Sequence, residues 1–230
     1  MGQATLSGNP PVEITLRRSA RARRVSLRVS ALDGRVTLSL PKSMKTADAL
    51  AFAQEKSDWI RGHLAKRLAE VRPAIGGSVA FEGSDLPIRA GSVRGAKVVD
   101  GVMTVPDAPE MATARIAAYL KLTARGRLHA ASEHYAKQLG RSFGRITLRD
   151  TRSRWGSCST AGDLMYSWRL IMAPRPVLAY VAAHEVAHLV EMNHSAAFWR
   201  VVTKVYPDYA APRAWLREQG HTLHRYRFGD

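Results

Sequence analysis

The chain has 230 residues, with 35 Lys and Arg against 19 Asp and Glu, a formal charge of +16 before its eight histidines are counted. With 46% hydrophobic and 23% charged residues, the composition is globular, which excludes a wholly disordered chain, a coiled coil and a collagen-like fibre. The longest central run without charged or strongly polar side chains, 177–183, has seven residues where a bilayer span takes about 20, so no membrane partner is expected.

Residues 1–11 lack periodicity and are expected to be a flexible N-terminus. From Val12 to Leu40 the pattern has period two, with Val25, Leu27 and Val29 and then Val36, Leu38 and Leu40 against polar neighbours. This predicts two strands joined across Asp33-Gly34. Thr46 or Asp48 can cap a helix running to about Val71, and Pro73 stops it. Short apolar runs broken by glycines follow to 105, so 12–106 reads as a β-rich α+β N-terminal subdomain. The composition shifts near Pro106–Pro109, opening 107–230 as a second domain. A long helix to about Leu139 with Gly140 as C-cap is expected there. Ile146 and Leu148 alternate in one strand, and Leu164, Tyr166, Trp168 and Leu170 in another, with a turn at Ala161-Gly162-Asp163. A helix from Pro174–Pro176 to about Met192 and one capped by Ser195 through Tyr206 complete the reading. The arginines at 17–24 run straight into Val25-Ser26-Leu27-Arg28, not into the apolar core of an export signal. One cysteine, Cys158, fits a reducing compartment, and a cytoplasmic location is expected.

The chemistry concentrates in His184-Glu185-Val186-Ala187-His188, followed by Glu191, Asn193 and His194. Histidines four apart on a helix are separated by about 40° around the axis and about 6 Å along it, so both rings can meet one ion. Glu185 lies about 60° from His188 on that helix, within reach of a metal-bound water without ligating the metal itself. This is the His-Glu-x-x-His arrangement of zinc hydrolases, and this composition yields it by chance roughly 0.01 times.

A catalytic zinc takes three protein groups and keeps a position for water. Glu191 lies about 10.5 Å along the axis from His184, too far to converge on a straight helix; it reads as a supporting or surface carboxylate. His194 is the better third ligand if the chain turns back, and with no glycine available Asn193 is expected to turn it with a positive φ.

The spacing His-Glu-x-x-His-x5-His, then Ser195-x-x-Phe198-Trp199, together with Ser153-Arg154-Trp155-Gly156-Ser157-Cys158 and Trp168-Arg169-Leu170-Ile171, resembles the YgjP-like metallopeptidase-domain family, relatives of the SprT and Wss1-type zincins. The resemblance is best over 146–206. It implies an α+β fold with a zincin-like metallohydrolase core of helices and a small sheet in 107–230. It also implies zinc on His184, His188 and His194, Glu185 as general base, and a polypeptide substrate. Ser167 and Glu191 depart from related patterns, the second making a true metzincin less apt.

Arg154, Tyr166 or Arg169 could supply oxyanion help, with Arg154 preferred. The 152–171 hairpin could hold an extended peptide by strand addition or could simply pack Trp155 and Trp168 beneath the metal helix. Arginines 149, 152, 154 and 169 keep open a metal-dependent nucleotide phosphohydrolase of pyrophosphatase type. A third possibility is a non-catalytic zinc-binding module contacting nucleic acid. That module would need a fourth ligand, for which Cys158, His221 and His224 are the reserves. The arginines between 17 and 24 form the densest basic patch, a possible contact for nucleic acid.

Overall fold

The computed structural model describes residues 2–30, 33–65 and 68–229. The chain divides into two compact units, Met1–Ala69 and Glu70–Asp230.

In the first unit, β1 (Gly2–Leu6), β2 (Val12–Ser19), β3 (Ser26–Val29) and β4 (Val36–Pro41) form a sheet in the order β1-β2-β4-β3. β2 and β4 are parallel and the other neighbours antiparallel. Val12, Ile14, Val36, Leu38 and Leu40 share one face and form a core with Ala49 and Ala53 of α1 (Thr46–Glu55) and Ile60 of α2 (Ser57–Ala65). Three expectations are corrected here. Residues 2–6 are a strand, because Ala4 and Leu6 alternate with Gln3 and Thr5 and bring Leu6 into the core. The stretch 12–40 holds three strands, of which Asp33-Gly34 joins the last two, with Gly34 at φ 70°. The helix expected to reach Val71 is broken at Lys56, and neither Thr46 nor Asp48 caps it; the Thr46 hydroxyl instead accepts from the Arg18 guanidinium at 2.9 Å.

In the second unit, β5 (Ser78–Phe81), β6 (Ser84–Ala90), β7 (Lys97–Val99) and β8 (Val102–Val105) form a sheet in the order β5-β6-β8-β7. Its Val79, Leu86, Ile88, Met103 and Val105 bury in one core with Ile116, Leu120 and Leu128 of α3 (Pro109–Gln138). The unit boundary therefore falls at 69/70 and not at 106: this sheet buries its apolar face in the core of the following helices. α3 begins at its proline and ends where Gly140, at φ 61°, turns left-handed.

β9 (Ile146–Arg149), β10 (Gly156–Cys158) and β11 (Leu164–Ser167) form a small sheet in the order β10-β11-β9, leaving β10 at an edge. The strand expected to reach Leu170 stops at Ser167, and Trp168–Met172 is a buried 3₁₀ turn. Arg169 explains the stop. Its side chain turns inward, donating to the carbonyls of Leu223 and Tyr226 at 2.8 and 3.0 Å and to both Asp150 oxygens at 2.6 and 2.9 Å. α4 (Arg175–Ala187), α5 (Ala196–Val205) and α6 (Ala210–Gln219) follow. α4 is apolar and buried on nearly every side, so its C-terminal turn is held rigidly. Among the described residues, no helix is long and apolar enough to cross a membrane.

Candidate metal centre

His184 and Glu185 lie in the last turn of α4, and His188 is the residue that ends it. Beyond it the backbone tightens: the amides of Leu189 and Val190 donate to the carbonyls of Val186 and Ala187, three residues back, each at 3.0 Å. The chain then reverses without a left-handed residue. Glu82 and Asp100 are the positive-φ residues other than glycine among those described, so the expectation for Asn193 is overturned. Its side chain does the work instead, Oδ1 accepting from the Ser195 amide at 2.9 Å. This is a side-chain mimic of a backbone turn. Ser195 Oγ then caps α5 by accepting from the Phe198 amide.

The reversal brings His194 onto the other two histidines. One ligand atom from each of His184, His188 and His194 lies within 4.8 Å of the others, and the Nε2 atoms of His184 and His194 are 3.0 Å apart. Two ligands of one tetrahedral ion with bonds of about 2.0–2.1 Å stand roughly 3.3 Å apart, so the separation suits a shared cation. The second ring nitrogens are partnered: His188 Nδ1 donates to the Glu191 carbonyl at 2.9 Å, and His184 Nδ1 faces the Tyr180 hydroxyl at 3.5 Å. Such partners fix ring orientation and leave the opposite nitrogen for the metal. The Phe198 ring lies 4.5–4.9 Å from all three imidazoles and closes the apolar side of the cluster. Glu191 therefore serves through its backbone oxygen.

Burial decides the protonation states. It pulls His184 down to about 3, with the neighbouring charges of His188, His194 and Arg213 adding to the effect, and it lowers His188 in the same direction. Both are therefore neutral at ordinary pH, the form that ligates. Glu185 is 6% exposed, and burial pushes its carboxyl up to about 8 against an opposing pull from Arg154. A carboxyl poised near neutrality suits proton transfer. It lies against β10, where a Cβ on Gly156 would stand 2.5 Å from Glu185 Oε1.

Arg154, in the loop two residues before this strand, is exposed, and its guanidinium bonds to none of the described residues. Of the other oxyanion candidates, Tyr166 is fully buried with its hydroxyl 2.9 Å from that of Ser132, and Arg169 is committed to Asp150 and two carbonyls. Losing Arg169 also weakens the phosphate-binding reading. Cys158, His221 and His224 stand outside the three-histidine group, so the closed four-ligand site does not form. The Cys158 thiol is raised to about 11, by burial first and then by the charges of Glu185 and Asp163, and is inert as a nucleophile. The sequence reading missed the Gly156 contact and the Tyr180 partner. Tyr180 was within its reach, since it lies one helical turn before His184.

The family model described as YgjP-like, metallopeptidase domain, matches residues 23–219. The chain belongs to this family. Membership supports a metal-dependent peptidase, a hydrolase whose substrate is a polypeptide, and does not extend to a nucleotide or nucleic-acid partner. The crystal structure of the metallopeptidase zymogen abylysin from Pyrococcus abyssi is similar at 24% sequence identity, over 40% of this chain and 95% of that one, with a TM-score of 0.36. No curated protein matches the sequence.

Proposed function

We propose that this YgjP-like chain is a zinc-dependent peptidase of zincin type, with His184, His188 and His194 as the metal ligands and Glu185 as general base. The convergence of three imidazoles on one point, beside a buried carboxyl, carries the reading. Three imidazole nitrogen donors with no carboxylate among them suit zinc and its neighbours in the first transition row, not magnesium or calcium, which take oxygen ligands. Zinc bound there supplies Lewis-acid polarisation of a carbonyl and acidifies water.

The protein's own groups do the rest. Glu185 Oε accepts the proton of the attacking water and returns it to the departing amine nitrogen, so that one carboxyl serves both halves of the hydrolysis. Arg154 faces the same space, and its free guanidinium can hold a substrate oxygen as negative charge develops on it. β10 offers an unpaired backbone edge to an extended peptide, aligning a carbonyl beside Glu185 by strand addition. Phe198 excludes water from the far side of the imidazoles.

The test is Glu185→Gln in the metal-loaded protein, assayed on an unfolded polypeptide. Turnover falls by about 10²-fold or more while metal stoichiometry stays that of the parent. Activity that survives removes Glu185 as the base. Release of phosphate from a nucleotide with peptides left intact overturns the peptidase assignment.

A further inference from the structure

The unit Met1–Ala69 carries a basic pole that peptide hydrolysis does not use. Thirteen of its residues are Lys or Arg against five Asp or Glu, and the topology gathers much of that charge at one end of the sheet. β2 and β4 run parallel with Ser19 opposite Pro41, so the chain leaves both strands at the same end. β3 is antiparallel to β4 with Ser26 opposite Ser39, so it starts from that end too. Arg17, Arg21, Arg23 and Arg24 are thereby collected near Lys42 and Lys45.

The scaffold beneath these cations is fixed. Arg18 donates to the carbonyls of Lys42 and Met44 at 2.9 and 2.8 Å and to Thr46 Oγ1 at 2.9 Å, tying the β4–α1 connection to β2. The Arg21 amide donates to Ser19 Oγ at 3.2 Å and the Ala22 amide to the Ser19 carbonyl at 3.3 Å, closing the turn that follows β2. Arg17, Arg21, Arg23, Arg24, Lys42 and Lys45 are all exposed, and among the described residues none has its side chain in an ion pair or hydrogen bond. The outer sheet face carries Thr15, Arg17, Ser19, Ser26, Arg28, Thr37 and Ser39, with Glu13 as its carboxylate at the far end of β2, because apolar residues of opposite parity fill the core.

We infer that this pole and face bind the phosphate backbone of duplex DNA. Guanidinium groups take phosphate oxygens bidentately, and hydroxyls add neutral donors. Among the described residues, the face carries no aromatic side chain on which an unpaired base could stack, which disfavours single strands. Among the described residues it also presents no large apolar side chain for insertion into a bilayer. The six cations lie close together on one rigid frame, where an elongated polyanion releases counterions from each contact it makes. The inference does not depend on the peptidase reading, and its test needs no turnover.

The experiment titrates the full chain against a labelled mixed-sequence duplex of about 20 base pairs between about 50 and 200 mM salt. With four phosphates contacted, affinity falls about 100-fold across that range. The triple variant Arg21→Glu/Arg23→Glu/Arg24→Glu binds at least about tenfold more weakly and loses about 2.7 from the logarithmic salt slope. Lys42→Glu/Lys45→Glu, on a separate segment, weakens binding in the same direction and guards against a misfolded turn. The control Arg94→Glu/Arg115→Glu/Arg125→Glu carries the same net charge as the triple variant and binds as the parent does. Equal loss in the control and the triple variant overturns the proposal. So does binding that ignores salt, or equally tight capture of single-stranded DNA, duplex RNA, anionic vesicles or polyglutamate.

Discussion

Gly156 and Glu185 occupy the same corner of the site: a Cβ on the glycine would stand 2.5 Å from Glu185 Oε1, 2.6 Å from Cγ and 2.7 Å from Cδ. The missing side chain on β10 is the space into which the buried carboxylate extends. Gly156→Ala therefore overpacks a site with no slack, and the carboxyl must move. Misplacing a catalytic group by about 1 Å costs about 10²-fold in rate. The expected outcome is a fall in kcat of that order with unchanged metal content, since the three atoms nearest the new methyl group all belong to Glu185. An alanine variant with parental kcat would show that Glu185 reaches its working position without that space.

Arg154 acts on the same carboxyl by charge, pulling its pKa down against burial. Removing the guanidinium leaves Glu185 protonated to higher pH, so the acid limb of the pH–rate profile of Arg154→Ala moves upward and neutral-pH activity drops. The exposure of Arg154 limits the shift through solvent screening. Arg154→Lys restores the limb but only part of kcat, because an ammonium keeps the charge and loses the fork that grips an oxygen. Identical acid limbs in parent and alanine variant would remove Arg154 from the electrostatics of the base.

His184, Glu185 and His188 were legible because their spacing is a property of the helix itself, fixed by residues four apart or adjacent, whereas His194 joins them only through the reversal that follows the helix. The capping role of Ser195 was legible for the same local reason. What escaped the sequence depended on partners far along the chain. Arg169 ends its strand to reach Asp150, Leu223 and Tyr226, and no local pattern announces that. β5 to β8 read as part of the N-terminal half by composition. They pack with α3 because their apolar face matches that helix. The turn at Asn193 was expected from backbone tolerance and is made by a side-chain oxygen.

That turn gives a discriminating variant series. Asn193 Oδ1 holds the Ser195 amide at 2.9 Å, just after His194. Asn193→Ala and Asn193→Gly both remove the acceptor and weaken metal binding, by about tenfold if His194 loses its orientation as ligands do when a supporting partner is lost. Asn193→Asp keeps an acceptor and retains affinity. Metal affinity measured by chelator competition checks this, and a glycine variant that binds better than alanine and as well as aspartate would restore the left-handed turn.

His224 supplies a pH dependence away from the metal ligands. It is buried with its ring 5.2 Å from that of Trp155, and burial, with the Arg169 charge next, pulls its pKa down to about 4. In the unfolded chain a histidine titrates near 6.5. Between those two values the unfolded state binds a proton that the folded state refuses, so stability is lost as pH falls from about 6.5 to about 4 and is fully present above that window. His224→Phe preserves a flat ring against Trp155 and abolishes the titration. Urea unfolding of chelator-treated protein, compared pairwise at neutral pH and near pH 5, should show the variant gaining on the parent as acid is added. A difference that stays constant over that interval would mean that His224 takes up its proton in the folded state as readily as in the unfolded one.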